Sequence, residues 1–438
     1  MPPNSLPNDA CMKPAVAPSI PFSLLGRRTA PPDIARLMSM ALEQPGLLSL
    51  AAGFTDNTTL PVAAVQSAVE ALAARPGEPE FLQYGINQGR PRLRQLLAAR
   101  LAALEPVLDA GPLARQLFVT NGSQQALYLA MQTLCDPGDI VLVDRPSYFV
   151  FLEMLTGLGV RAVSLPVDGQ GLIDAAALDA RLAELERAGK SGRVKAVYFV
   201  SYFSNPSAHS MAEAEKSAVA EILSQHGLIV PVIEDAAYRE LYFEQPHAAR
   251  SVLSLEAWRE FPKLYLSTFT KPFASGLKVG WGVCTDDAWL AAMLNAKGHH
   301  DFGTANFNQA ICEQILAGDV FDTHLEKIRP AYAGKMRALH RALESAGLGT
   351  SGWRWAVPRG GIYLWLEAPR DLDTGLESAF CRACIEAGVL YVPGALCFGD
   401  DVPKNFVRLS FGVLGEAGLQ EAGRRFVSVA QRFAQGAT

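Results

Sequence analysis

The run Leu117-Phe118-Val119-Thr120-Asn121-Gly122-Ser123-Gln124-Gln125-Ala126-Leu127 changes its hydrophobic period half-way along. Its first four residues are apolar or β-branched without interruption, which predicts a strand covered on both faces. After Ser123, the residues Ala126, Leu127, Ala130, Met131 and Leu134 recur on one face of a helical period. The segment therefore reads as strand, tight Gly-Ser turn, helix. Working outward, the same kind of apolar run recurs at Ile140–Val143, Val194–Val200, Leu228–Ile233, Lys263–Thr268 and Val279–Cys284. Helical patterns lie between them, near 61–74, 91–104, 146–157, 174–188 and 211–226. Strands alternating with helices predict an α/β fold on a mostly parallel sheet. Beyond about residue 330 a long helical stretch leads to Ile362–Leu366, a helix near 376–387 and Phe406–Phe411, which reads as a smaller α+β lobe.

The chain has 438 residues, 49% hydrophobic and 19% charged, enough apolar surface to bury a core. Its 39 basic against 44 acidic residues give a net charge of −5, so the electrostatic footprint for nucleic acid or an anionic membrane is missing. No apolar run approaches the ~20 residues of a membrane span. Residues 1–22 carry six prolines and no apolar core of a secretory signal, and read as a flexible leader. Seven scattered cysteines do not resemble a disulfide framework. A cytoplasmic location is expected.

Three motifs fail. Ala188-Gly189-Lys190-Ser191 ends like a phosphate-binding loop but has Glu184 where the motif needs glycine. Gly169-Gln170-Gly171 lacks the third glycine of a dinucleotide fingerprint. Cys381 and Cys384 have no second pair to complete a zinc site, and His299-His300 lacks metal-ligand spacing, so no metal is expected.

Polar residues at the carboxyl ends of predicted strands carry more, because open α/β sheets bind ligands there. The helix start at Gly122-Ser123-Gln124 offers backbone donors to a phosphate, or Ser123 simply caps the helix. Asp235 and Tyr238 follow Leu228–Ile233, Asn205-Pro206 follows Val200, and Lys271 follows Ser267-Thr268-Phe269-Thr270. Alone, each of these has an ordinary reading as a cap, a turn or a surface lysine.

Taken in order, these pieces resemble the class I/II aminotransferases, the fold-type I enzymes that use pyridoxal 5′-phosphate (PLP). The resemblance rests on Gln83-Tyr84-Gly85 with Gly89, Thr120 to Leu127, Pro146-Ser147-Tyr148, Asn205-Pro206, Glu234-Asp235 with Tyr238, Thr268 to Lys271, Pro358 with Gly360-Gly361, and Arg408-Leu409-Ser410. It implies an aspartate-aminotransferase-like fold with the segment 23–60 packing near the active site, a PLP-binding domain over 61–330 and a small domain over 331–438. It implies an enzyme that moves an amino group from an amino acid to a 2-oxo acid through a Schiff base on Lys271, which also serves as general base. Asp235, rather than Glu234, would hold the ring nitrogen protonated. Asn205 and Tyr238 would bond the ring oxygen, and Tyr148 would stack on the ring. Ser123, Gln124, Thr268, Thr270 and Lys278 would hold the phosphate, with Tyr84 reaching in from a second subunit of a homodimer. Arg408 would clamp the substrate carboxylate, and Gly53 lies in the segment Ala51-Ala52-Gly53-Phe54 that lines the substrate side.

Two departures stand out. Lys278 occupies a place usually held by arginine, and lysine supplies charge without the two-pronged fork. A Lys278→Arg chain is therefore expected to hold PLP more tightly, read as a lower Kd on titration. Phe54 and Thr55 differ from the common pattern, which weakens any inference of substrate. Arg27 and Arg28 offer a partner for a distal carboxylate, although exposed arginines are ordinary. The competing functions are another PLP reaction on an amino acid (lyase, decarboxylase or oxidase) and a PLP-sensing regulatory domain. The latter is disfavoured because only about 45 Pro-rich residues precede the matching region and no basic reader fits there.

Overall fold

The computed structural model describes residues 20–33, 35, 37, 39, 44, 46–75, 77 and 79–435. Most of the expected leader, residues 1–19, lies outside them. The strands, in chain order, are β1 (Leu48–Ser49), β2 (Leu117–Asn121), β3 (Ile140–Val143), β4 (Arg161–Ser164), β5 (Val194–Val200), β6 (Val232–Asp235), β7 (Lys263–Thr268), β8 (Val279–Cys284), β9 (Arg354–Trp355), β10 (Tyr363–Glu367), β11 (Val389–Leu390), β12 (Val392–Pro393) and β13 (Phe406–Ser410). The central sheet runs β2-β8-β7-β6-β5-β3-β4. From β7 to β4 all neighbours are parallel, and β8 is antiparallel to both β7 and β2.

Successive residues of a strand face opposite sides, and here both sides are covered. Val141 and Val143 belong to one apolar cluster, Ile140 and Leu142 to another on the opposite face. Full burial of such a side chain stabilises by ~1.5–3 kcal/mol, so polar residues are tolerated only where the strands end. The helix Gly122–Leu134 buries Ala126, Leu127, Ala130 and Met131, the face its periodicity predicts.

One expected strand is displaced. Leu228–Ile233 is observed as Val232–Asp235, because Leu228 still closes the preceding helix by donating to Leu223 and Pro231 has no N–H to give a ladder. As a result Asp235 lies in the last position of β6 rather than after it. The strand β4 was not anticipated; it is a short edge strand that starts with exposed Arg161.

The second sheet, ordered β12-β13-β10-β9, is antiparallel. It shares the larger apolar cluster with the central sheet, through Leu364, Val407 and Leu409 alongside Phe118 and Leu266. The helix Val320–Ser345, with Pro330 inside it, packs along the helix Glu416–Gln435. Cys381 and Cys384 lie buried in the helix Ala379–Glu386.

Candidate active site

The carboxyl ends of β2, β5, β6 and β7 and the strand β13 bring the polar residues together. Alternation along β6 separates its two carboxylates. Glu234 is fully buried on one side, where Lys216 Nζ donates at 2.8 Å and Ser201 Oγ at 2.6 Å. Burial raises its pKa, but Lys216 and the serine hydroxyls outweigh that and hold it below the usual carboxylate range. It is spent on structure. Asp235 faces the other way, accepting from the Ala237 N–H at 3.0 Å and the Tyr198 hydroxyl at 3.2 Å. Burial pushes its carboxyl up to about 6 against those donors and the Lys271 charge.

Half-buried Lys271 follows β7 and donates from Nζ to the Gly53 carbonyl at 2.7 Å. Burial first, then the nearby Arg408 and Lys278 charges, lower its pKa, which favours the free amine a nucleophile needs. The turn leading to it is fixed by Thr268, whose Oγ1 accepts from the Thr270 N–H at 3.0 Å and lies 2.8 Å from Thr270 Oγ1. Thr268 therefore shapes the turn while Thr270 stands half-buried at its edge.

Arg408 is 1% exposed on β13. Its Nη1 donates to Asn205 Oδ1 at 2.8 Å and its Nη2 to the Ala51 carbonyl at 2.7 Å, while buried Nε has no partner. Among the described residues no carboxylate pairs with it. A buried guanidinium without a counter-ion is costly, and it is supported here by the Tyr363 ring, 4.3 Å from the guanidinium carbon. Tyr363 also places its hydroxyl 3.1 Å from that of Tyr238. A Cβ on Gly53 would come within 2.6 Å of the Tyr363 oxygen, so glycine is what the close approach allows.

The strap Ala51 to Asp56 is held over this cluster at several points. Beyond the two carbonyls already named, Asp56 pairs with buried Lys335, which also donates to Gly412 at 3.1 Å. At the far side the helix Gly122–Leu134 starts with no side chain capping its first turn, so Ser123 is not the cap. Instead Asn121 and Gln125 both donate to Asp301, which Lys297 neutralises. Gly280 of β8 lies so close that a Cβ there would fall 2.3 Å from the Ser123 nitrogen. Tyr148 reaches Gln124 Oε1 at 3.3 Å. Lys278 is exposed at a left-handed φ of 54°; its N–H donates to the Ser275 carbonyl at 3.3 Å, while its side chain has no hydrogen-bond or ion-pair partner among the described residues.

Two residues weighed from the sequence lie apart from this cluster in this chain: Tyr84, which the resemblance places in a second subunit's site, and Arg28, an option for a distal carboxylate. Tyr84 is 79% exposed, its ring edge-on to Phe302 at 5.7 Å. Arg28 abuts Gly159 at the opposite end of the helix Phe149–Leu158 from Tyr148, roughly 15 Å along its axis. Tyr198 and Tyr363 were not anticipated as site residues. Both lie in strands read only as apolar runs, although Tyr363 comes two residues after the Gly360-Gly361 pair that the motif singles out.

Residues 45–426 match the family model for aminotransferase class I and II. The chain belongs to the class I and II aminotransferases. It is 30% identical over 395 residues to an aromatic-amino-acid aminotransferase of Thermococcus litoralis, covering 90% of each chain. A 2-aminoadipate transaminase of Thermus thermophilus is 30% identical, with 87% of this chain and 90% of the relative covered. The crystal structure of kynurenine aminotransferase from Pyrococcus horikoshii superposes with a TM-score of 0.83 at 28% identity, covering 94% of this chain and 97% of that one. This aminotransferase is accordingly PLP-dependent, of fold type I, and acts on amino acids and 2-oxo acids. No helix among its described residues is long and apolar enough to cross a membrane.

Proposed function

We propose that the cluster around Lys271, Asp235 and Arg408 is the transamination site. The residues fit PLP on three counts: a half-buried amine with a lowered pKa, a buried carboxylate opposite it, and an uncapped helix start beside unpaired Lys278. When bound, the cofactor supplies an electron sink for the negative charge left at the amino acid's α-carbon. Asp235 would hold a proton at the ring nitrogen by charge pairing. Tyr238 and Asn205 would bond the ring oxygen, and Tyr148 would cover the ring face. Ser123, Gln124, Thr270 and Lys278 would hold the phosphate, with Thr268 fixing their turn. Lys271 Nζ would anchor the cofactor and would take and return the α-proton. In this reading residues 61–330 carry the cofactor and 331–438 the clamp.

The observation that carries the proposal is Arg408. Its Nε is an orphaned buried donor and no carboxylate among the described residues pairs with it, so the missing counter-ion is the substrate's α-carboxylate. Arg408→Lys keeps the charge and loses the planar fork. It is expected to lower kcat/KM by roughly 10²-fold, mainly through KM, measured by steady-state kinetics with saturating 2-oxo acid. An unchanged KM would move the clamp elsewhere.

The same proposal includes a homodimer in the cytoplasm. Phe302, 68% exposed against exposed Tyr84, makes an apolar surface that a second copy would cover, and the described cysteines form no disulfide. Sedimentation is expected to give twice the chain mass and Tyr84→Ala to weaken PLP binding. A monomer that binds PLP equally well without Tyr84 would remove that residue from the site. The donor tests begin with aromatic amino acids and 2-aminoadipate, the compounds in the relatives' names.

A further inference from the structure

Tyr363 touches two parts of the site at once. Its ring lies under the Arg408 guanidinium carbon at 4.3 Å, and its hydroxyl lies 3.1 Å from the hydroxyl of Tyr238. Neither contact is accidental to the fold. The register of β10 with β13 sets Tyr363 opposite Ser410 and Trp365 opposite Arg408, so Tyr363 and Arg408 are diagonal neighbours on one face. The start of β10 is pinned to the segment that carries Tyr238. The Gly361 N–H donates to the Leu241 carbonyl at 2.8 Å, and a Cβ on Gly360 would fall 2.6 Å from that carbonyl oxygen. Leu241 is three residues beyond Tyr238, so the Gly360-Gly361 pair is what seats one phenol against the other. Tyr363 is 1% exposed, and its oxygen is closed in by Gly53.

We propose that Tyr363 is a positioning residue that donates its hydroxyl proton to the oxygen of Tyr238, leaving the Tyr238 proton to be given to the cofactor's ring oxygen. The direction of donation follows from the surroundings. Among the described residues the Tyr238 oxygen is the only hydrogen-bond partner of the buried Tyr363 hydroxyl, so the Tyr363 proton goes there and the Tyr238 proton is left for the cofactor. A Tyr238 oxygen that already accepts a hydrogen bond donates more strongly in turn. Its expected consequence is a more stable anionic ring oxygen and a Lys271 nitrogen that, with PLP bound, gives up its proton at lower pH. The groups facing the Tyr238 phenol are Tyr363, Tyr148, Arg408 and Lys271.

This inference rests on the assignment of Tyr238 to the ring oxygen, and the test separates the two. The visible absorption band of the full-length PLP-loaded protein is titrated with pH for the parent, Tyr363→Phe, Tyr238→Phe and the double variant. Phenylalanine preserves the ring under Arg408, so the KM for the amino acid should stay within about twofold. The titration midpoint of Tyr363→Phe should rise by about half to one pH unit, and in the Tyr238→Phe background the same substitution should move it no further. A midpoint unmoved by Tyr363→Phe, or a shift that persists at full size without the Tyr238 hydroxyl, overturns the role of Tyr363. If Tyr238→Phe leaves the parent midpoint unchanged, the assignment of Tyr238 falls and the role of Tyr363 falls with it.

Discussion

Lys271→Ala is expected to remove the visible absorption band that the parent shows with PLP and to lower turnover on the order of 10⁴-fold or more. Two functions are lost together. The amine that anchors the cofactor is gone, and so is the group that moves the α-proton. Neither neighbouring amine replaces it: Lys278 is exposed, and Lys216 is committed to Glu234 at the opposite face of β6. The fold should survive, because among the described residues Lys271 Nζ donates only to the Gly53 carbonyl. A small primary amine added to the buffer should restore part of the proton transfer. Normal turnover by the alanine variant would show that another residue does the chemistry.

Asp235→Ala should keep weakened PLP binding, since the phosphate and Lys271 contacts remain, yet lose about 10³-fold in rate. The loss lies in the chemical step, because an unpaired ring nitrogen is a poorer electron sink. The pH dependence gives a second reading of the same residue. Burial lifts the Asp235 carboxyl to about 6, above the ordinary 3.8. It is charged, and able to pair with a protonated ring nitrogen, only above that value. The Kd for PLP should therefore rise as the pH falls through 6, by up to about tenfold per unit, and the Asp235→Ala variant should lack this limb. For the protein without PLP the sign is opposite. A carboxyl with a raised folded pKa binds its proton more tightly in the native state, so this group costs stability as pH rises from about 4 to 6. Parallel PLP-binding limbs in parent and variant would assign the effect to another group.

The architecture was legible where burial is uniform. Ile140–Val143 and Val194–Val200 are strands over the very residues the apolar runs mark, because both faces of the sheet are covered and the one charged residue in them, Lys195, stands half-buried near the start of its strand. Legibility failed where a strand lies at an edge or where the backbone lacks a donor. Arg161–Ser164 starts with an exposed arginine and ends in a serine, so no apolar run marks it, and Pro231 displaces the start of β6. At the site, the residue types and their order named Lys271, Asp235, Asn205 and Arg408, since the chemistry requires an amine, a carboxylate, an amide and a fork. The resemblance chose Asp235 over Glu234, but the sequence could not show what Glu234 would pair with instead. That depends on Lys216, 18 residues earlier, folding across the same face. It also left Tyr198 and Tyr363 as apolar strand residues. A tyrosine's ring obeys the hydrophobic pattern, while the partner of its hydroxyl is set by the packing of distant segments.

The central claim is that this chain carries an amino group on PLP between an amino acid and a 2-oxo acid at the Lys271 cluster. Its most direct test is the visible spectrum of the purified protein with PLP, recorded as single amino acids are added without any 2-oxo acid. Conversion of the cofactor band to that of the pyridoxamine form, with one equivalent of the matching 2-oxo acid released per site and reversed by adding a 2-oxo acid, is the predicted result. A band that returns unchanged while the amino acid is decarboxylated, cleaved or oxidised would contradict it.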